Sequence, residues 1–242
     1  MARVSLPPAT KVFFILFISL SALVTVLRYW AYVLLVAKQQ QEQQESAISG
    51  SPIEPVVASP HNLYVPYLTI VSGHTIVYPW VIFTASFVEH SLVYFVLTGA
   101  TLFYGAKYCE NIWGSKELVL FFIIQTVIPN ISAIVFYAIF GSPESPTTVC
   151  GGVAIVSGFL VAFKQLIPEH NFVLFKDAIR FKFKYLPAMF LLANTMSGIF
   201  FGNAVWAIHA WTGFLVSWTY LRFYRISYAD PLLPFSSHGI SS

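Results

Sequence analysis

Glu89 and His90 stand side by side inside an otherwise apolar run, residues 80–104. Ionisable groups at that depth are costly and face protein or trapped water. They serve as relays, as binding groups or as ties between helices. A proton or ion relay calls for further acidic groups along the path or for an inverted repeat that builds a central site. The apolar runs hold no second acidic residue and no such repeat, which argues against transport, so Glu89 and His90 are expected to face the protein interior. Arg28, in the first apolar run, has two readings. Its guanidinium snorkels to the interface beside Tyr29, Trp30 and Tyr32, or it forms a buried ion pair with Glu89.

The elements that must hold these groups are apolar and long. Of 242 residues, 57% are hydrophobic and only 10% charged, which excludes an ordinary soluble domain and fits an integral membrane protein. A hydrocarbon core of about 30 Å needs roughly 20 apolar residues in a helix. Besides 80–104, apolar runs cover 12–37, 119–140, 149–163, 186–201 and 205–221, giving six expected spans. The expected layout is a cytosolic N-terminus over 1–10, a six-helix domain over 11–225 and a short cytosolic tail over 226–242. A lumenal loop covers about 38–79. The 12–37 run is longer than a signal peptide and lacks a small-residue cleavage site, so it reads as a retained helix.

With the N-terminus in the cytosol, all but two of the thirteen Lys and Arg residues fall on the cytosolic side; Arg28 and Lys38 are the exceptions. This charge bias puts both termini in the cytosol. Cys109 and Cys150 then lie at opposite faces, too far apart for a disulfide, and two cysteines make no zinc site.

Between the spans, 38–62 is polar and rich in Gln, Glu, Pro and Gly and reads as a flexible lumenal loop, its Gln/Glu run able to extend the first helix by a turn or two. Residues 63–78, broken by Pro66 and Gly73, suit a segment lying on the membrane. Pro129 should kink the third span. Asn130 there opens a glycosylation sequon that is useless at mid-depth, so an interhelical hydrogen bond is its expected role. The fourth span is dense in small residues and belongs at the centre of the bundle. Gly198 and Gly202 have the same close-packing spacing. Residues 164–184 form the largest cytosolic loop. Arg180, Lys182 and Lys184 in it set topology against lipid, or dock a cytosolic partner or anionic lipid head.

Residues 78–118 resemble the rhomboid superfamily. Pro79-Trp80 through Glu89-His90 resembles the entry to rhomboid helix two, and Glu110 four residues before Gly114-Ser115 resembles the turn that follows it. In the fourth span Cys150-Gly151, with Gly158 further on, is similar to the nucleophile serine and its glycines. His209 falls where the family has its general base. Pro79-Trp80, Thr84, Phe87-Val88-Glu89, residues 158–169 and Ser217 to Tyr224, with Trp218 and Arg222, look most like the Golgi transmembrane protein 115 family.

The resemblance implies an all-α, six-transmembrane-helix rhomboid-like bundle whose protease apparatus has decayed. Cys150 replaces the serine, and Thr148 stands where the proteases have glycine. Tyr94 and Thr98 replace the oxyanion histidine and asparagine, and His209 is four rather than three residues from its glycine. One missing oxyanion donor costs an enzyme about 2.7–4 kcal/mol, so these departures argue against proteolysis. Cys150 becomes a packing residue and His209 a hydrogen-bonded structural one. The implied role is in Golgi organisation and Golgi-to-ER retrograde transport, without cofactor, metal or nucleic acid. The implied partners are membrane lipid and other membrane proteins or Golgi tethers, with homo-oligomers left open. An ER quality-control or ubiquitin-ligase scaffold, and an intramembrane thiol protease, are the alternatives.

Overall fold

The structure, a computed structural model, describes residues 6–49, 67–71, 78–140, 148–167, 171–174, 179–201 and 204–224. Pro8 opens the first helix, α1 (Pro8–Ser49); proline suits this position because its missing N–H has no intrahelical partner there. At 1.5 Å per residue its 42 residues extend about 63 Å, roughly twice the hydrocarbon thickness. The Gln/Glu run therefore continues the helix for three turns, further than expected, and 38–49 is not loop. The rest of the expected loop, 50–62, lies outside the described residues, as do 1–5 and 225–242.

The 80–104 run is not one helix. It splits into α2 (Val81–Thr84), which ends in a tight turn over Ala85–Phe87, and a second rod bent 96° from it. That rod is α3 (Leu92–Ala100), a π-helical stretch (Thr101–Ala106) and α4 (Lys107–Trp113). Val88 and Ser91 are extended, so Glu89 and His90 lie in the break. Two ionisable residues in the middle of an apolar helix would leave charge against lipid. A break lets both turn into the protein. Leu92–Trp113 alone extends about 33 Å, enough to cross.

Gly114 reverses the chain into α5 (Ser115–Phe140), which stays one helix with Pro129 inside it. α6 (Val153–Leu166), α7 (Leu186–Phe201) and α8 (Ala204–Thr219) follow, α8 running on as a π-helical turn, Tyr220–Tyr224. Length and composition qualify α1 and α5 as spans, and the bent pair as a third. At 14 and 16 residues α6 and α7 extend only about 21 and 24 Å, whereas α8 with its π-helical continuation reaches about 30 Å. The six-span reading therefore rests in part on two helices shorter than the bilayer core, of which α6 is enclosed by protein.

Two small sheets complete the fold. β1 (Ile70–Val71) pairs antiparallel with β2 (Thr148–Val149). Thr69 and Ile70 are buried, so this part of 63–78 packs into the protein instead of lying on the membrane. β3 (Asn171–Leu174) and β4 (Ile179–Lys182) form a hairpin in register Asn171 to Lys182, where the sequence suggested loop.

α6 is the centre, as its small residues required: Val153 through Phe159 are all buried. Lipid is as apolar as leucine, so helices in a bilayer gain little by hiding apolar surface. They associate through close contact and hydrogen bonds. The α6–α8 seam uses both. Ser157 Oγ donates to Ala210 O (2.8 Å) and Ser217 Oγ to Gly158 O (2.9 Å). Gln125 of α5 donates to Ala154 O (2.6 Å) and Gly213 O (2.8 Å). A Cβ at Gly213 would stand 2.6 Å from the Ala154 carbonyl oxygen, so the backbones touch. Asn130 donates to Ile82 O (2.6 Å) and Ser86 Oγ (2.8 Å), the interhelical role the sequence suggested.

Gly213→Ala should destabilise the protein by about 1–3 kcal/mol through overpacking, read as a lowered melting temperature in mild detergent. Gly99→Ala is the control: its Cβ would meet only Phe17, at an ordinary 3.5 Å. Equal losses would mean that the seam is not the tight point.

Candidate functional site

The break in the second span is pinned before it is used. Ser21 of α1 donates to Phe87 O (2.9 Å) and accepts from Glu89 N (3.4 Å). This aims Glu89 at the start of α6, where unpaired backbone N–H groups and the helix dipole favour an anion. Glu89 Oε1 accepts from Gly152 N (2.6 Å), the N-cap of α6, and from Thr98 Oγ1 of α3 (2.8 Å). Gly151 has φ +116°, a conformation that disfavours any side chain, and its N–H reaches Ala85 O (3.0 Å). A Cβ at Gly152 would lie 2.5 Å from Thr98 Cγ2. The adjacent glycines therefore leave the space through which Glu89 and Thr98 reach the helix.

His90 turns the other way. Its Nδ1 lies 2.8 Å from Arg28 Nη1. Arg28, expected either to snorkel or to pair with Glu89, thus has the neighbouring histidine as a partner.

Of the residues at the protease-like positions, Tyr94 and Thr98 are committed elsewhere and Cys150 and His209 are buried. Cys150 is buried between β2 and Gly151, and both cysteines are free thiols. His209 is fully buried on α8, yet neither ring nitrogen has a hydrogen-bond partner among the described residues. The expectation of a hydrogen-bonded His209 is therefore corrected for the described residues: the polar side chains of the α6–α8 seam, Ser157, Ser217 and Gln125, are spent on backbone carbonyls and not on the ring. Tyr94 OH donates to Asn194 Oδ1 of α7 (3.0 Å), and its ring lies against Trp206. Thr98 is held by Glu89.

A second carboxylate does for α1 what Glu89 does for α6. Glu110 accepts from Ala9 N (3.0 Å), Thr10 N (2.7 Å), Thr10 Oγ1 (2.7 Å) and Ser115 Oγ (2.6 Å). Two of these are orphan amides in the first turn of α1. Gly114, at φ +85° and ψ 162°, occupies a region open essentially to glycine alone, and its N–H closes on Glu110 O (2.8 Å). The Glu110, Gly114 and Ser115 spacing is thus one clamp.

The other motif residues divide by face. Gly158 faces Gln125, with no room for a Cβ. Pro79 is exposed in the turn before α2, and Trp80, about half exposed, donates to Tyr67 O (3.2 Å). Trp218 is exposed against Phe223, and Arg222 is exposed. Ser217, Tyr220 and Leu221 are the buried members of that stretch, and Tyr220 OH donates to Glu117 (3.0 Å). Lys184 lies over the Tyr185 ring at 5.1 Å. The backbones of Arg180 and Lys182 lie in β4, and their side chains are outside the described residues. Thr10 went unnoticed in the sequence, and Gln125, visible as a polar residue of the third span, was given no role. Pro8 was the available signal for Thr10, since it fixes where the orphan amides of α1 begin.

Fold and site together define an all-helical integral membrane protein in which buried carboxylates tie helix ends. Residues 11–235 match the family described as eukaryotic integral membrane protein, DUF1751, and the chain belongs to it. It is 28% identical over 165 residues to the Arabidopsis thaliana protein named Rhomboid-like protein 19, covering 66% of this chain and 53% of that one. It is 26% identical over 170 residues to the Saccharomyces cerevisiae Transmembrane protein 115 homolog, covering 66% and 50%. The chain thus matches about half the length of these relatives.

Hydrogen bonds to a charged group contribute about 1.5–3 kcal/mol. Glu110→Ala should therefore cost at least that much and expose the N-terminal end of α1 to proteolysis, with Glu110→Gln falling between it and wild type. At the other clamp, Gly152→Ala should destabilise, and adding Thr98→Ser, which removes the obstructing methyl and keeps the hydroxyl, should restore part of the loss. Strict additivity of the pair would show that the two residues do not touch.

Proposed function

We propose that the chain is a non-catalytic, rhomboid-like scaffold of Golgi membranes that binds membrane proteins or tethering factors in Golgi organisation and Golgi-to-ER retrograde transport. The observation that carries the non-catalytic reading is His209. A thiol nucleophile needs a base within hydrogen-bond reach and donors for the oxyanion. The His209 ring has no hydrogen-bond partner among the described residues, and Thr98, at an oxyanion position, donates to Glu89. Tyr94 and Thr98, at the positions of the oxyanion donors, are used instead to hold helices together.

The Golgi role rests on the resemblance of the 78–118 and 217–224 stretches to the transmembrane protein 115 family, and the similarity to a relative of that name supports it. Cytosolic termini follow from the bias of Lys and Arg. Under this orientation the β3–β4 hairpin and the turn after it face the cytosol, and Arg180, Lys182 and Lys184 are the candidate residues for a soluble tether.

A thiol-directed electrophile should label Cys150 no faster in wild type than in His209→Ala, and no substrate cleavage should depend on either residue. Tagged protein should overlap a Golgi marker. Replacing Arg180, Lys182 and Lys184 by alanine should lower recovery of co-purifying cytosolic proteins severalfold. Cleavage lost in both Cys150→Ala and His209→Ala would establish a protease. An ER pattern would favour the quality-control alternative, and unchanged recovery would remove the hairpin as the docking surface.

A further inference from the structure

The break at Glu89 and His90 opens a groove between α1 and α3 with a volume of about 470 Å³. This is within the roughly 300–1,000 Å³ of small-molecule sites. Its walls are Ile18, Ala22 and Val26 on one side and Leu92 and Phe95 on the other, and its polar groups, Ser21, Thr25, Glu89, His90 and Ser91, belong to the break and the part of α1 facing it. We infer that this groove is a phospholipid site: one acyl chain lies between the two helices, and the phosphate of its headgroup sits at His90 and Arg28.

Depth is the first argument. The Glu110 clamp fixes Thr10 at one face of the bundle. Arg28 is eighteen residues further along α1, about 27 Å of helix, close to the full hydrocarbon thickness of about 30 Å. Tyr29 and Trp30, largely exposed, flank it as interfacial aromatics do. Ile18, at the other end of the groove, is about 12 Å from Thr10 and so nearer mid-bilayer. The groove thus has its cationic end at headgroup level and its apolar end inside one leaflet, the polarity and length of a lipid in place.

Charge is the second. Arg28 Nη1 donates to Nδ1 of His90, a lining residue, at 2.8 Å, so a guanidinium, a group suited to phosphate, stands beside the groove. Glu89 also lines the groove, but its Oε1 is engaged by Gly152 N and Thr98, and the N-terminus of α6 offsets its charge. Size is the third. The walls Ile18 to Val26 run about 12 Å along α1, and a groove of this size and length takes part of one extended acyl chain. Leu92 and Val26 are among the most exposed apolar residues, so the groove opens sideways to lipid.

This inference is independent of the Golgi scaffold reading. The test places the purified full chain in phosphatidylcholine nanodiscs doped with a phosphatidylcholine bearing a photoactivatable acyl chain. Cross-links are then mapped and counted. Wild type should label within 18–26 and 91–95. Ala22→Trp, which fills the groove, and Arg28→Gln, which removes the phosphate partner, should each lower that labelling about tenfold while labelling of α7 is unchanged. A photoactivatable diacylglycerol, which lacks the phosphate, should label wild type as weakly as the phospholipid labels Arg28→Gln. If Ala22→Trp does not fold, Leu92→Trp on the opposite wall is read in its place. Equal labelling of the groove in wild type and variants would reduce the site to ordinary surrounding lipid and overturn the inference. So would a photo-cross-linker at residue 22 that captures a polypeptide rather than lipid.

Discussion

A helix that starts inside a membrane protein has several amide hydrogens with no carbonyl to meet and little water to replace one. This constraint governs the arrangement of the bundle. α1 and α6 solve it in the same way, with a glutamate from the second-span region reaching across to the first turn. Both glutamates lie beside the same rod, one before it at the break and one near its end. The rod formed by α3 and α4 is therefore fixed at one end to the start of the first helix and at the other to the start of the central one. Buried carboxylates, which look like reactive groups in a sequence, serve here as mechanical joints.

The central seam follows a complementary rule. Where α6 and α8 meet, side chains have been reduced until backbone approaches backbone, and serine and glutamine hydroxyl and amide groups fill the remaining polar positions. Such a seam has little tolerance for volume, and its polar side chains are spent on backbone carbonyls. Among the described residues none is left for the buried His209 ring.

What could be seen in the sequence depended on whether the signal was local. Helix existence followed from apolar length, the centrality of α6 from its small residues, and the role of Asn130 from the cost of an unpaired amide at mid-depth. The break at Glu89 and His90 was visible only as two awkward residues, because the run around them is as apolar as a continuous helix. Partners a hundred residues apart, such as Thr10 with Glu110 and Tyr94 with Asn194, leave no periodic trace. The hairpin at 171–182 was read as loop since its short strands sit in a basic, aromatic-rich stretch that suits an interfacial segment equally well.

The π-helical stretch between α3 and α4 accommodates one residue beyond the count of a regular helix, and one residue corresponds to about 100° of rotation. Thr98 above it and Glu110 below it must each meet a different neighbour, and the extra residue sets the phase between them. Leu102, Gly105 and Ala106 face the core and hold this stretch in place, and its length is fixed as well. Deleting a single residue there would rewind the lower half and swing the Glu110 carboxylate away from the helix start it serves.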